Sequence, residues 1–448
     1  MSIAQRILAS ALVLLALGFS TISPSTSFAS AHKAAQNFNL PNYLDLPPDA
    51  SSEDYQHALN QIRLFNLAKP GESVKDNDGL DAVVASGEKI LQWLNAINEK
   101  RDASAKLSFT DAQHRIGYPI DKANKYSPTI ILAKHADFMA ALKSDIFRAV
   151  VTGQAPVSSD LPADLTVETF LDLGRTLDRI YQSATRWRMM QPYLDEMAAN
   201  SANDVRGYYF LSNLTDRDQK LAQFAALSTD EKAQIAAWLV LICRNGGNDT
   251  NTCRTELDGS TQKQNGNAMA YYTQYIDNAK ALYDSFFHIP TYGQRSDITW
   301  VANSADETAT IPFLDPATDA LRAFMRNVED EWHLGGWQLK LNFVTSGDVA
   351  HLMFQPGTTP HVNALGGNII TMDKNTPLTD WENNWTIRHE FGHVLGFPDC
   401  YVEFYDDAEK VMTNYQLDMT NLMCSRRGNL KETHKTEMTR VYRPTKSQ

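Results

Sequence analysis

The hydrophobic period of this chain changes once, near residue 290, and that change limits its architecture more than any other feature. Upstream, apolar residues recur at three-to-four spacing in Leu80 to Ile97, Thr169 to Tyr181 and Tyr271 to Phe287. That spacing predicts amphipathic helices with one face in a core, the aromatics of the last segment included. Ser228-Thr229-Asp230-Glu231 reads as a capping box that opens a further helix. Downstream, W-Q-L-K-L-N-F (Trp337 to Phe343) alternates apolar with polar residues, as a half-buried strand does. Asp297 to Asn303, Ala350 to Phe354 and Gly367 to Asp373 are further candidate strands, and Pro316 to Trp332 is an amphipathic helix ended by Gly335-Gly336. The expectation is an α+β chain: an all-α region over 32–292, then a smaller mixed domain over 293–448.

With 448 residues, 43% of them hydrophobic, the chain can build two or three proper cores. A net charge of -12 and a pI near 5.4 argue against a nucleic-acid or anionic-membrane partner, because phosphate binding needs a positive field. Residues 1–31 are unlike the rest: Arg6 is a basic n-region, Ile7 to Phe19 an apolar run, and S-F-A-S-A (Ser27 to Ala31) a small-residue cleavage site. This reads as a signal peptide, cut after Ala29 or Ala31, since the run is shorter than the ~20 residues of a membrane span. The mature protein is expected to be secreted or periplasmic, without stable membrane insertion. In an oxidising compartment the four cysteines are expected to form disulfides. Cys243 and Cys253 flank the loop R-N-G-G-N-D-T-N-T, leaving Cys400 and Cys424, though three pairings are open to four cysteines. The loop is rich in oxygen ligands but lacks the D-x-D-x-D-G order of a calcium site, so it reads as a solvated disulfide loop.

The most specific stretch is T-I-R-H-E-F-G-H-V-L-G-F-P-D-C, Thr386 to Cys400. Thr379-Asp380-Trp381-Glu382 matches a capping box, which predicts helical geometry before the first histidine. On a helix, residues four apart lie about 6 Å along the axis and nearly in line, so His389 and His393 can converge on one ion. Glu390, one residue round from His389, is better placed to touch a water on the ion than to bind it. A carboxylate there can take a proton from water whose pKa zinc has lowered to roughly 7. Gly396 permits the left-handed backbone that stops the helix, and Pro398 prevents it from resuming. Catalytic zinc usually keeps three protein ligands and one open position, which makes Asp399 the natural third ligand. His333, His351 and His361 lack ligand spacing and read as ordinary surface or core histidines.

H-E-F-G-H-V-L-G-F-P-D resembles the extended motif H-E-x-x-H-x-x-G-x-x-H/D of the metzincin metalloproteases, in the snapalysin-like branch with aspartate as third ligand. The resemblance covers roughly Asp297 to Arg443 and does not extend to the helical region. It implies His389, His393 and Asp399 as zinc ligands and Glu390 as general base. It also implies a twisted, mostly parallel sheet with an edge strand, an active-site helix and a C-terminal helix. Metzincins carry a methionine in a tight turn under the zinc, and in D-M-T-N-L-M-C-S (Asp418 to Ser425) Met423 matches it, with Met419 as the alternative. Ser425 stands where some members have a tyrosine, so no tyrosine ligand is implied. Cys400 follows the third ligand and Cys424 follows Met423, and two segments that both serve one zinc must meet. The resemblance therefore favours a Cys400–Cys424 disulfide, against free thiols near the metal. Gly367, Asn368, Ile369 and Ile370 fall where the family has the edge strand that aligns extended substrate.

The expected activity is that of a secreted zinc endopeptidase acting on a protein or peptide substrate, with Glu390 assisting attack by zinc-bound water. Two other readings are an exported binding protein with a structural or vestigial zinc site, and a zinc amidase acting on non-peptide amides. The helical region reads either as a pro-region or as a retained accessory domain with a protein or cell-surface target. Its size favours retention, and no P-R-C-G cysteine switch occurs.

Overall fold

The structure is a computed structural model, and it describes residues 79–102, 105–109, 117–302, 306–355, 360–374, 378, 381–425 and 428–444. The signal peptide expected at 1–31 and the capping box starting at Thr379 lie outside them.

The helical region runs α1 (Asp81–Glu99), β1 (Asn124–Tyr126), α2 (Pro128–Ala141), α3 (Asp145–Val151), α4 (Val167–Met190), α5 (Leu194–Ala199), α6 (Arg206–Asn213), α7 (Arg217–Ala222), α8 (Thr229–Arg244), α9 (Thr250–Lys263) and α10 (Met269–Ser285). Side-chain oxygens at the helix starts satisfy amides that have no partner within the helix. Thr166 Oγ1 accepts from Thr169 N at 3.1 Å at the start of α4, and Ser228 Oγ accepts from Glu231 N at 3.4 Å at the start of α8. Two cores follow from the apolar stripes. In one, Trp93 of α1 packs on Phe147 and Phe170, with ring centroids 5.6 and 5.2 Å apart. In the other, α8, α9 and α10 enclose the Cys243–Cys253 disulfide, and Tyr271 Oη donates to Cys253 O at 2.9 Å. The loop between those cysteines is short because Asp249 caps α9, accepting from Asn251 N and Thr252 N.

The C-terminal part runs β2 (Thr299–Ala302), β3 (Glu307–Leu314), α11 (Asp319–Glu331), β4 (His333–Leu334), β5 (Trp337–Val344), β6 (His351–Gln355), β7 (His361–Val362), β8 (Ile369–Asp373), α12 (Trp381–Val394), β9 (Tyr401–Asp406), β10 (Val411–Gln416) and α13 (Glu432–Tyr442). One sheet has the order β2-β3-β5-β4, with β3 and β5 parallel; a second has the order β6-β8-β7, with β6 and β8 parallel. A parallel bridge from Phe313 to Ala350 joins them at the end of β3. The α+β class holds, and the sheets are mixed, because β2, β4 and β7 are antiparallel to their neighbours. Strand β3 was not expected, since Pro312 interrupts an otherwise apolar run and removes a ladder donor. It is tolerated because β2 stops pairing at Thr310, leaving β3 paired along its full length only with β5.

One assignment needs correction. Gly367, Asn368, Ile369 and Ile370 do not form an edge strand. Ile369 and Ile370 lie in β8, which pairs with β6 on one side and β7 on the other, while Gly367 and Asn368 belong to the turn before it. The strand at that margin of the sheet is β7, and two residues are too few for alternation to show in the sequence.

A third sheet, β1-β10-β9, crosses between the two regions. β1, from the helical region, pairs antiparallel with β10, as Asn124 with Asn414 and Tyr126 with Met412. Ile120, Val205, Leu282, Phe286 and Ile289 share one core with Phe313, Trp332, Ile370 and Phe391. The helices and the mixed sheets therefore share apolar surface on both sides of residue 292.

Candidate metal centre

Helix α12 carries His389 and His393 one turn apart, and each ring is oriented from its far side. His389 Nδ1 lies 2.8 Å from Leu422 O, and His393 Nδ1 lies 2.8 Å from Phe397 O. A carbonyl accepts only, so each Nδ1 holds a hydrogen, which leaves Nε2 as the nitrogen of each ring that can give up its proton to a metal. The two Nε2 atoms are 3.2 Å apart, and Asp399 Oδ1 is 3.2 Å from the first and 3.4 Å from the second. Three ligand atoms therefore face one point, and all three side chains are buried. This group could hold a metal ion. Among the described residues His333, His351 and His361 join no such group.

Charge balance agrees with a cation at this point. Burial opposes protonation of His393, but the Asp399 carboxylate, its hydrogen bond and Glu390 outweigh it and raise the pKa to about 9. Burial likewise pushes Asp399 up, and His393 and His389 overcome it, holding the carboxyl well below its usual range. A proton on His393 thus occupies the metal-free site near neutral pH. Because the folded pKa lies above the ordinary 6.5, the metal-free protein has this contribution in full below pH 6.5 and loses it as pH rises through about 9. Titration of metal-free protein at pH 7.5 in buffers of different ionisation enthalpy should show about one proton released per ion bound. No buffer dependence would contradict the protonated state.

The turn after the helix places the third ligand. Gly396 has φ +91° and its amide donates to His393 O at 2.9 Å. A Cβ there would meet Gly293 O at 2.2 Å, a backbone atom that cannot swing aside. Gly396→Ala is accordingly expected to destabilise by about 2–5 kcal/mol, read by urea unfolding, from left-handed strain plus the clash. An unchanged midpoint would show that the turn can relax.

Met423 is buried beneath α12 in a tight turn, where its amide donates to Asn421 Oδ1 at 2.8 Å. Met419 lies against Gly117 instead. The Cys400–Cys424 disulfide is formed, and Cys400 N donates to Met423 O at 3.1 Å, so the Asp399 and Met423 segments are joined as expected. Gly392 went unremarked in the sequence, yet a Cβ there would stand 2.2 Å from Met423 Sδ. Its signal was available: glycine inside a helix costs about 1 kcal/mol relative to alanine, which points to a close neighbour. The Leu422 and Phe397 carbonyls had no signal, being backbone. Trp332 Nε1 donates to Arg388 O at 3.0 Å, and His434 packs edge-on against Trp332 and Phe397. Burial lowers the His434 pKa to about 4, so it is neutral around the site at neutral pH.

Arg295 was also missed. Its guanidinium holds Gly366 O at 2.8 Å, Gly367 O at 3.2 Å and the Asp297 carboxylate, while Gly366 N donates to His393 O at 2.7 Å. The turn between β7 and β8 is thereby fixed to the end of α12.

Comparison of the chain with protein-family models, curated proteins and solved structures gives no match. Among the described residues no helix is long and apolar enough to cross a membrane.

Proposed function

We propose that this chain is an exported zinc-dependent endopeptidase of metzincin type. The observation that carries the reading is the triangle of 3.2, 3.2 and 3.4 Å between two Nε2 atoms and one carboxylate oxygen. Ligands at about 2.0–2.1 Å from a tetrahedral zinc lie about 3.3–3.4 Å from one another, so the triangle matches one face of that tetrahedron and leaves the fourth vertex open. Zinc bound there would supply a Lewis acid for the scissile carbonyl and a lowered water pKa. Glu390, buried beside His389, takes the proton of the attacking water and returns it to the leaving amine. The parallel β3, β5, β6 and β8 ahead of α12 support the family resemblance. The shared core supports a retained helical region, because removing it would strip β10 of β1 and take Phe286 and Ile289 out of the core they share with Phe313, Trp332 and Phe391.

One observation favours the second reading, a binding protein with a structural or vestigial site: His389, Glu390, His393 and Asp399 are only 1–5% exposed. A peptide-library digest before chelation, after it, and after zinc is restored separates the two. Cleavage that disappears and returns supports the peptidase; bound zinc without cleavage at any stage supports the binding protein.

A further inference from the structure

Each cysteine of the first disulfide is followed by an arginine: Cys243-Arg244 and Cys253-Arg254. The bonded cysteines have Cα atoms 5.8 Å apart, so the disulfide holds the end of α8 and the first turn of α9 together, with an arginine on each. Both arginines line one cavity of about 790 Å³, bounded by α8, α9 and the tip of the β9–β10 hairpin. Ala233, Ala237 and Val240 precede Arg244 at three-to-four spacing on α8 and form an apolar wall.

The acids around this cavity are mostly engaged. Asp204 is held by Arg206 and Tyr415, Asp407 by Lys410, and Glu409 by Lys125, while Asp406 accepts two amides of the hairpin turn. Arg244 is half-buried and donates to Ser201 Oγ at 2.5 Å, with no ion pair among the described residues. Burial depresses its pKa, and Asp204 and Asp406 act on it only at a distance. Arg254 is exposed and has neither an ion pair nor a side-chain hydrogen bond among the described residues. A planar carboxylate is the natural partner of a guanidinium fork. A phosphate dianion suits the cavity less, because Asp258 and Asp406 also face it. The volume is that of a site for a ligand of a few residues, and the alanine wall suits small side chains.

We propose that this cavity binds the carboxylate end of a short peptide, with Arg244 and Arg254 as its clamp. The hairpin forming the far wall begins at Tyr401, two residues after Asp399, so a bound peptide ties the ligand-bearing segment to α8 and α9. That such peptides are products of this chain rests on the peptidase reading; the binding does not. Calorimetry on the full chain carrying Glu390→Gln, titrated with N-acetyl-dialanine and with its C-terminal amide, tests it without turnover. The acid should bind about tenfold or more tighter than the amide, and Arg254→Gln should remove about tenfold of that affinity. Arg244→Gln should weaken it further. Because Arg254 is exposed and supports no neighbour, its variant keeps the fold. Equal binding of acid and amide, no heat at millimolar peptide, or unchanged affinity in Arg254→Gln would each overturn the proposal. Inorganic phosphate competing as strongly as the peptide would overturn it too, by showing a general oxyanion site. None of these outcomes bears on cleavage, so the two proposals fail separately.

Discussion

Glu390→Gln should reduce peptide hydrolysis by about 10²–10⁴-fold and leave zinc bound. Glutamine keeps the shape of the side chain and its place beside His389 in α12, so His389, His393 and Asp399 keep their 3.2–3.4 Å triangle. What is lost is the capacity to take a proton. An amide cannot accept one near neutral pH, so attacking water and leaving amine both lose their proton carrier. Measured as kcat/KM on a cleaved library peptide, alongside zinc per chain, the variant should be inactive and fully loaded. Retained activity would remove the role assigned to Glu390. Loss of zinc together with activity would make Glu390 a support of the site instead of its base.

Arg186→Met should destabilise the fold by about 3–5 kcal/mol, although it lies in the helical region. Arg186, on α4, reaches across to Glu403 on β9, with Nε 3.2 and 3.1 Å from the two carboxylate oxygens and a still closer Nη2 contact. Tyr126 Oη, on β1, donates to the same carboxylate at 2.7 Å. The Glu403 side chain is 3% exposed, so removing the guanidinium leaves a buried charge with one hydroxyl for company. Its effect on the partners is visible as well. Burial raises Tyr126 well above its ordinary pKa, with the Glu403 charge adding to it. The double variant Arg186→Met with Glu403→Gln should recover part of the loss, because the neutral amide leaves no buried charge and still accepts from Tyr126 Oη. Urea unfolding of the two variants reads this directly. A double variant as unstable as the single one would mean that the packing of α4 on the hairpin, and not the stranded charge, sets the cost.

What was legible beforehand was local. His389, Glu390, His393, Gly396 and Asp399 fall within eleven residues on a helix and its turn, where spacing alone fixes geometry. The Cys400–Cys424 pairing was legible only through the family resemblance, since both cysteines adjoin residues that the resemblance brings to one metal. What escaped was long-range or small. β1 pairs with β10 across almost 300 residues, and three residues of alternating burial leave no mark that distinguishes them from a loop. β3 was hidden by Pro312, and β7 by having two residues. The carbonyls of Leu422 and Phe397, which set both histidine tautomers, are present in every residue and so carry no pattern. Arg244 and Arg254 were in plain view, but only a disulfide and a hairpin tip turn them into neighbours of one cavity.

In the proposed site two imidazoles and one carboxylate would hold zinc with a fourth vertex open. X-ray absorption at the zinc edge, on protein purified without chelator, tests it most directly. The expected spectrum has one zinc per chain and only nitrogen and oxygen neighbours at about 2.0–2.1 Å, with the outer-shell scattering of two imidazoles. Sulfur neighbours at about 2.3 Å, or no zinc retained even after loading, would contradict it.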